Sequence, residues 1–333
     1  MSAIDLLKII AVVAVVIIHS VSAYRFSPSF TGDATWLTII DQAMRFSVPL
    51  FVALSGFGLM LGYGQKKLDL ISYFRRRVWR LLPWYLFFAT VIILAVTFLW
   101  HENTALYGSL KLWRLYIFGQ ADYHLYFIPM ILSLYLLFPI ILFFFRKLPP
   151  LFLVVLAFFW QLFWFYLIGQ KTELAINNNG LWPYQEQYRH AASWIFYFVL
   201  GMFLAGKKAP RWQFIVGSTV AIFGLFFSVS DSLALLSKGI NIIVATRFTR
   251  LPILVFATGI ILVGHYVITH FSAVSRSRWG QLSYVVYLLH TLVIRTLFRT
   301  PDLVPLLGFG VTTMVAVGGS FLIAGIMVRI TKR

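Results

Sequence analysis

Long apolar stretches recur along the chain, and the short segments between them hold most of its charges. Ten stretches come near the roughly 20 residues needed to cross a bilayer. They cover 4–23, 37–61, 81–100, 125–145, 151–169, 190–206, 213–230, 251–270, 280–299 and 306–328. Each is continuously apolar rather than alternating, which predicts helices and not a barrel. Proline sits where spans end, as at Pro149 and Pro150. Two stretches are weaker than the rest: 37–61 contains Asp41 and Arg45, and 190–206 is short. The pattern predicts an all-α polytopic membrane protein of about ten transmembrane helices, organised as one integral membrane domain over 1–333. No internal repeat, inverted pair of broken spans or low-complexity linker interrupts it, which argues against a secondary transporter. After the apolar run Ile9–Ile18, Ser20-Val21-Ser22-Ala23 mimics a signal-peptidase site. Asp5 and the single Lys8 ahead of the run, together with the even span count, predict a retained helix.

Composition decides the solvent. Of 333 residues, 60% are hydrophobic and 11% charged, so in water the chain would expose far more apolar surface than a monomer tolerates. A net charge of +18 suggests nucleic acid or topology, and the distribution of the cations chooses. The segments 62–80, 146–150, 206–212, 271–279 and 329–333 carry 16 Lys and Arg and one acid, Asp69. The longer alternate segments carry nine Lys and Arg and seven acids. The excess of basic residues in short loops predicts that both termini are cytoplasmic, which leaves no reason to invoke nucleic acid. The absence of cysteine removes disulfides, thiolate metal sites and cysteine nucleophiles.

Ionisable groups inside spans are expensive, so each is a functional candidate. Asp5 and Lys8 share a face of the first helix, and so do Lys8 and His19, eleven residues or roughly 16 Å apart along the axis. The plain alternative is a snorkelling lysine and a solvated histidine. Asp41 and Arg45, four apart, suit an ion pair. Ser55-Gly56-Phe57-Gly58 reads as small-residue packing. Arg75, Arg76, Arg77 and Arg80 open the third span, where they either anchor the helix to anionic lipid or grip a polyphosphorylated ligand. His124 and His290 are further candidates. His101, His190, His265 and His270 lie near span ends and carry no assigned chemistry. No spacing argues for a metal, and the "ALSGFG" stretch lacks the flanking glycine of a serine elbow. Trp36, Trp113, Trp182 and Tyr184 in the outer loops suit either sugar stacking or the interfacial belt.

Taken in order, these segments resemble the acyltransferase family 3 membrane proteins. The resemblance rests on "IDLLKIIAVVAVVIIHS", with Lys8 where the family usually has arginine; on "SVPLFVALSGFGL"; and on "RRRVWRLLPWY", with Arg77, Arg80, Pro83 and Tyr85. It continues through "YHLYFIPMILSLYLLFP", with Tyr126 where tryptophan is usual, "FYFVLGMFLA" and "LSYVVYLLH". The resemblance implies transfer of an acyl group, acetyl being expected, from cytoplasmic acyl-CoA to a hydroxyl of a surface polysaccharide or lipid-linked glycan, in a bacterial cytoplasmic membrane. It implies that His19 is essential for transfer and that Arg77 and Arg80, with Arg76, Tyr85 and Lys8, face the CoA phosphates. No metal is implied.

The residues fit that chemistry. A sugar hydroxyl attacking a thioester needs a base, and an imidazole with a pKa near ~6.5 suits neutral pH. The developing oxyanion needs donors, for which Arg45, Tyr126, Ser55 and His290 are all candidates. Ser55, His124 and Tyr126 are also candidates for substrate contacts. The Lys8–His19 separation is comparable with an extended pantetheine arm. Competing readings are a transporter or flippase of a lipid-linked glycan and a non-catalytic component of polysaccharide assembly. The absence of native cysteine makes the topology directly testable. Single cysteines replacing Lys66 or Lys208 are expected to resist an impermeant maleimide in intact cells, and one replacing Lys238 to react.

Overall fold

The computed structural model describes residues 2–27, 30, 32–100, 112–177, 189–271, 279–298 and 303–330. His101, Trp182 and Tyr184 lie outside them. Every regular element among the described residues is helical. Nine helical stretches there, with Thr35–Tyr63 counted as one, are long and apolar enough to cross a membrane, and a further apolar helix, Ile195–Leu204, is only ten residues long. The chain divides into two compact units, residues 1–54 with 206–333, and residues 55–205.

The first unit is built around α1 (Ala3–Arg25). Ser2 caps it, its Oγ accepting from the Asp5 amide and donating to the Asp5 carboxylate at 2.6 Å. The predicted 37–61 span is broken into α2 (Thr35–Met44) and α3 (Ser47–Tyr63), with Arg45 and Phe46 at the joint. The break falls where the sequence puts Arg45 two residues before Ser47 and four before Pro49. Proline has no amide to donate and belongs in a helix's first turn. Further along the chain come α9 (Arg211–Ser237), the short α10 (Ile242–Ala245), α11 (Leu251–Phe271), α12 (Trp279–Phe298) and α13 (Leu303–Ile330), the last bent at Gly308. α1 packs on α2, α11, α12 and α13, and α9 packs on α11 and α2.

Small residues make the α9–α11 seam. Gly217, Ala221, Gly224, Ser228 and Ser232 form the buried stripe of α9. In lipid there is no hydrophobic force between helices, so close backbone approach must supply the attraction. A Cβ at Gly259 would sit 2.4 Å from the Ala221 amide nitrogen, and one at Gly224 would sit 2.4 Å from that of Phe256. Phe214, Ile215, Ile222, Phe223 and Phe226 occupy the rest of α9 and stay exposed. Gln213 Nε2 donates to Leu262 O at 3.0 Å and meets His265 Nδ1 at 2.9 Å. The sequence assigned His265 no chemistry, and this is a structural role.

The second unit contains α4 (Leu70–Leu94), which continues as a π-helical turn over Ala95–Leu99. It also contains α5 (Leu112–Ile117), α6 (Phe127–Lys147), α7 (Pro150–Asn177) and α8 (Ile195–Leu204). At about 15 Å, α8 is half the hydrocarbon thickness. It is apolar all round and, Ile195 and Phe203 apart, buried, as a helix enclosed by protein must be. Gln161 Oε1 accepts from its Phe196 amide at 3.0 Å. A Cβ at Gly56 would lie 2.1 Å from Phe198 O, so within the Ser55–Gly58 stretch Gly56 acts in packing.

Helix directions in the first unit recover the even span count. Gly280, at the start of α12, lies against Asp5 and Lys8, while His290 lies against His19. The two helices therefore run parallel. Two parallel spans must be separated by an odd number of crossings. The long helices between them supply six, and α8 is the remaining apolar helix among the described residues. Counted so, the described helices supply ten crossings.

Gly259→Ala is expected to lower the thermal midpoint of the purified protein. Overpacking costs about 1–3 kcal/mol, more than the roughly 0.5–1 kcal/mol of helix propensity gained. At Gly58, where nothing lies within 4 Å of a new Cβ, the same substitution is expected to hold or raise it.

Candidate functional site

The first unit brings two of the predicted residues together. His19, in the C-terminal half of α1, stacks on His290 of α12 with ring centroids 5.1 Å apart and planes 29° off parallel. His290 is buried, on the helix segment Val285–Thr291, which is buried throughout. Its Nδ1 lies 2.6 Å from Tyr287 O, three residues earlier in the same helix. A carbonyl can only accept, so Nδ1 carries the proton, and in the neutral ring Nε2 holds the lone pair. His19 is partly open, whereas its neighbours Ile18 and Ser20 are buried. An imidazole with one accessible edge, backed by a second imidazole of defined tautomer, suits proton transfer to and from a bound hydroxyl.

At the other end of the same face, Lys8 Nζ stands 4.0 Å from Asp5 Oδ1. A Cβ on Gly280 would lie 3.1 Å from that oxygen and 3.4 Å from Nζ. Glycine at the start of α12 thus admits the pair. Arg45 sits at the α2–α3 joint. Its Nε and Nη2 donate to Asp41 at 2.9 and 2.8 Å, and its guanidinium lies 4.4 Å over the Phe248 ring. Asp41 also accepts from Gln42 Nε2, and Gln42 Oε1 accepts from Ser228 Oγ at 2.5 Å. The predicted Asp41–Arg45 pair is present and takes most of the Arg45 fork, while Gln42 joins α2 to α9.

The remaining predicted residues belong to the second unit. Arg75, Arg76 and Arg80 are exposed on the first turns of α4, and Arg76 Nε donates to Ser72 O at 3.1 Å. Asp69 caps the helix, accepting from the Ile71 and Ser72 amides; hydrogen bonding from Ser72 holds its carboxyl below the ordinary carboxylate value. Arg77 differs from its neighbours. Its guanidinium is caged by Tyr63, Tyr73 and Tyr135, with the centroids 5.7, 5.8 and 5.8 Å away. Its Nε is buried and has no acceptor among the described residues. The cage is a chain of aromatic contacts: Tyr63 meets Tyr73 edge-on at 5.3 Å, and Tyr73 stacks on Phe138 at 5.5 Å. Arg146 holds the end of α3 that carries Tyr63, donating to the carbonyls of Tyr63, Gly64 and Lys66. The sequence read Arg146 only as a topological cation, and the tyrosine cage carried no pattern that would have revealed it.

Tyr85 is buried, and its hydroxyl donates to Tyr116 O at 2.5 Å, so it ties α4 to α5. His124 is buried beside Asp122, Nδ1 to Oδ2 at 3.5 Å. Tyr126 stands at the start of α6, and Ser55 is half-buried on α3 beside Gly56.

A family model described as an acyltransferase domain, that of acyltransferase family 3, matches residues 1–325, nearly the whole chain. The protein belongs to this family. It is therefore a membrane acyltransferase, transferring groups other than amino-acyl groups, and the transporter and scaffold readings lapse. Comparison with curated proteins and with solved structures gave no significant match. Within this acyltransferase, the family match runs through both units, so neither histidine nor arginine cluster falls outside it.

His290→Phe keeps an aromatic ring beside His19 but removes both nitrogens. If His290 takes part in proton transfer, acyl transfer is expected to fall on the order of 10²-fold with the thermal midpoint near wild type. Unchanged transfer would assign the pair to packing.

Proposed function

We propose that this acyltransferase moves an acyl group, acetyl being the best supported, from cytoplasmic acyl-CoA to a hydroxyl of a surface polysaccharide or lipid-linked glycan. In this reading it works in a bacterial cytoplasmic membrane, with His19 as general base. The observation that carries the reading is the stacked His19–His290 pair, an acid–base group set within a helical unit at the end of α1 away from Lys8. The charge distribution favours Lys8 at the cytoplasmic end.

The hydroxyl oxygen attacks the thioester carbonyl as its proton passes to His19. Collapse of the tetrahedral adduct breaks the C–S bond, and the thiolate leaves as CoA, taking a proton back from His19. The products are the sugar ester and free CoA. His290 backs the His19 ring and, with Nδ1 held by Tyr287, presents a defined tautomer. To Arg77 and Arg80, with Arg76, we assign the donor's phosphates. The unspent Nε of Arg77 supports this, because guanidinium grips phosphate through paired donors and the tyrosine cage pre-orients it. Tyr85 has no part in the assignment, its hydroxyl being engaged within the fold.

His19→Ala is expected to abolish transfer of label from acetyl-CoA to membrane glycan while the protein stays inserted and monodisperse. Replacing Arg77 and Arg80 with Gln is expected to raise KM for acetyl-CoA with little change in the acceptor's. Retained acylation in the first variant, or an unchanged donor KM in the second, would reject the corresponding assignment.

A further inference from the structure

The His19 end of the first unit holds a second concentration of charge that the mechanism does not use. Arg25 ends α1, six residues or roughly 9 Å along the axis beyond His19. It lies within electrostatic reach of Asp41 and Arg45. Arg250, one residue before α11, feels Asp231, Arg247 and Arg45. Arg45 Nη2 meets Thr246 Oγ1 at 3.5 Å and its guanidinium lies over the Phe248 ring, the two residues that flank Arg247. Arg25 Nη2 meets Thr38, three residues before Asp41 on α2, so four arginines from three separate parts of the chain gather with two aspartates.

Most of their hydrogen bonds are spent on one another. The Arg45 fork is taken by Asp41. Arg250 donates to Asp231, to Ser232 and to the Ala245 carbonyl, and burial pulls its guanidinium below the ordinary value while Asp231 raises it again. Arg25 Nη2 donates to Thr38 at 3.0 Å. What remains is specific. Arg247 Nε and Nη1 and Arg25 Nε are buried and have no acceptor among the described residues. Buried guanidinium donors without acceptors are costly, and here they stand in a cluster whose four arginines exceed its two aspartates by two charges. A carboxylate would neutralise half of that excess. A phosphate-class dianion, such as a diphosphate diester, matches it in charge and offers enough oxygens for paired guanidinium contacts.

We infer that Arg25, Arg45, Arg247 and Arg250 form a binding site for a phosphate-class dianion at the His19 end of α1. The dianion is either the carrier diphosphate of a lipid-linked acceptor or the headgroup of a doubly charged phospholipid. The acceptor source rests on the proposed function; the site itself does not. Aromatic rings stand beside it on α1 and α2, where Tyr24 meets Trp36 at 6.1 Å and both meet Phe309.

The test uses the full chain in phosphatidylcholine nanodiscs, with inorganic pyrophosphate as probe and thermal unfolding at fixed ionic strength as readout, since a ligand of the native state raises its midpoint. A saturable rise is expected. Arg247→Gln and Arg25→Gln are each expected to weaken it at least about tenfold, a loss of the size one charge-assisted contact supplies, and Lys238→Gln, an exposed lysine outside the cluster, to leave it unchanged. Arg247→Lys, which keeps the charge but loses the fork, serves if the glutamine variant does not fold. Equal losses in Lys238→Gln, or loss only on replacing Arg77 and Arg80, would overturn the site. In nanodiscs containing cardiolipin, whose headgroup carries two phosphates, native mass spectrometry separates the sources. A single retained lipid that Arg247→Gln releases identifies a headgroup, while pyrophosphate binding without lipid retention identifies the acceptor's phosphate. Neither signal would overturn the site. If the site serves acyl transfer, Arg247→Gln raises the acceptor KM and leaves the acetyl-CoA KM alone. A wild-type protein that binds pyrophosphate but transfers no acyl group would overturn the proposed function and leave the site standing.

Discussion

The pairing of α1 with α12 is the contact on which the first unit depends. Lipid solvates neither charge nor imidazole, so a helix that carries Asp5, Lys8 and His19 must meet a neighbour that tolerates all three. α12 does so at both ends. Gly280, with no side chain, leaves room for the Asp5–Lys8 pair, and ten residues on His290 stacks on His19. The spacing on α1 is eleven residues and on α12 ten, so the register is held at two points roughly 15 Å apart. Because the helices must be parallel for this to work, the contact also constrains how often the chain crosses the bilayer between them.

Around that pair, the two units use different devices. The first joins helices through small residues and buried polar groups. Gly217, Gly224 and Gly259 let α9 and α11 approach to backbone contact, and Gln42, itself held by Asp41, joins α2 to α9 through Ser228. The second relies on aromatic stacking, with Tyr63, Tyr73 and Phe138 in mutual contact and Arg77 held over the tyrosine faces. A cation on an aromatic face keeps its in-plane donors available, which is why Arg77 is fixed in place without being neutralised.

Much of this fold was legible in the chain. Hydrophobic length located the spans, because the hydrocarbon core imposes one minimum on all of them. It misjudged two. The 37–61 stretch has the length of a single span but divides at Arg45–Phe46, since hydropathy averages over a joint that the local backbone does not. The 190–206 stretch contracts to ten helical residues because its partners within the second unit, not lipid, surround it. Of the candidate residues, Lys8 and His19 shared a face by helical spacing alone, and Asp41 with Arg45 followed from the four-residue separation. Arg25, Arg247 and Arg250 looked like ordinary loop cations, because no local pattern links Arg25 to positions more than 220 residues further along the chain.

The amino-acid sequence by itself determined the solvent, the helical class, the approximate number of spans and the side on which the cations gather. Each of these is a property of local composition measured against a bilayer of fixed thickness. Only the tertiary structure decided which polar groups meet: His19 with His290, Arg77 with three tyrosines, and Arg25 with Thr38. Those pairings depend on which helices lie side by side and in what register, and that is settled by glycine contacts and ring stacking between segments far apart in the chain.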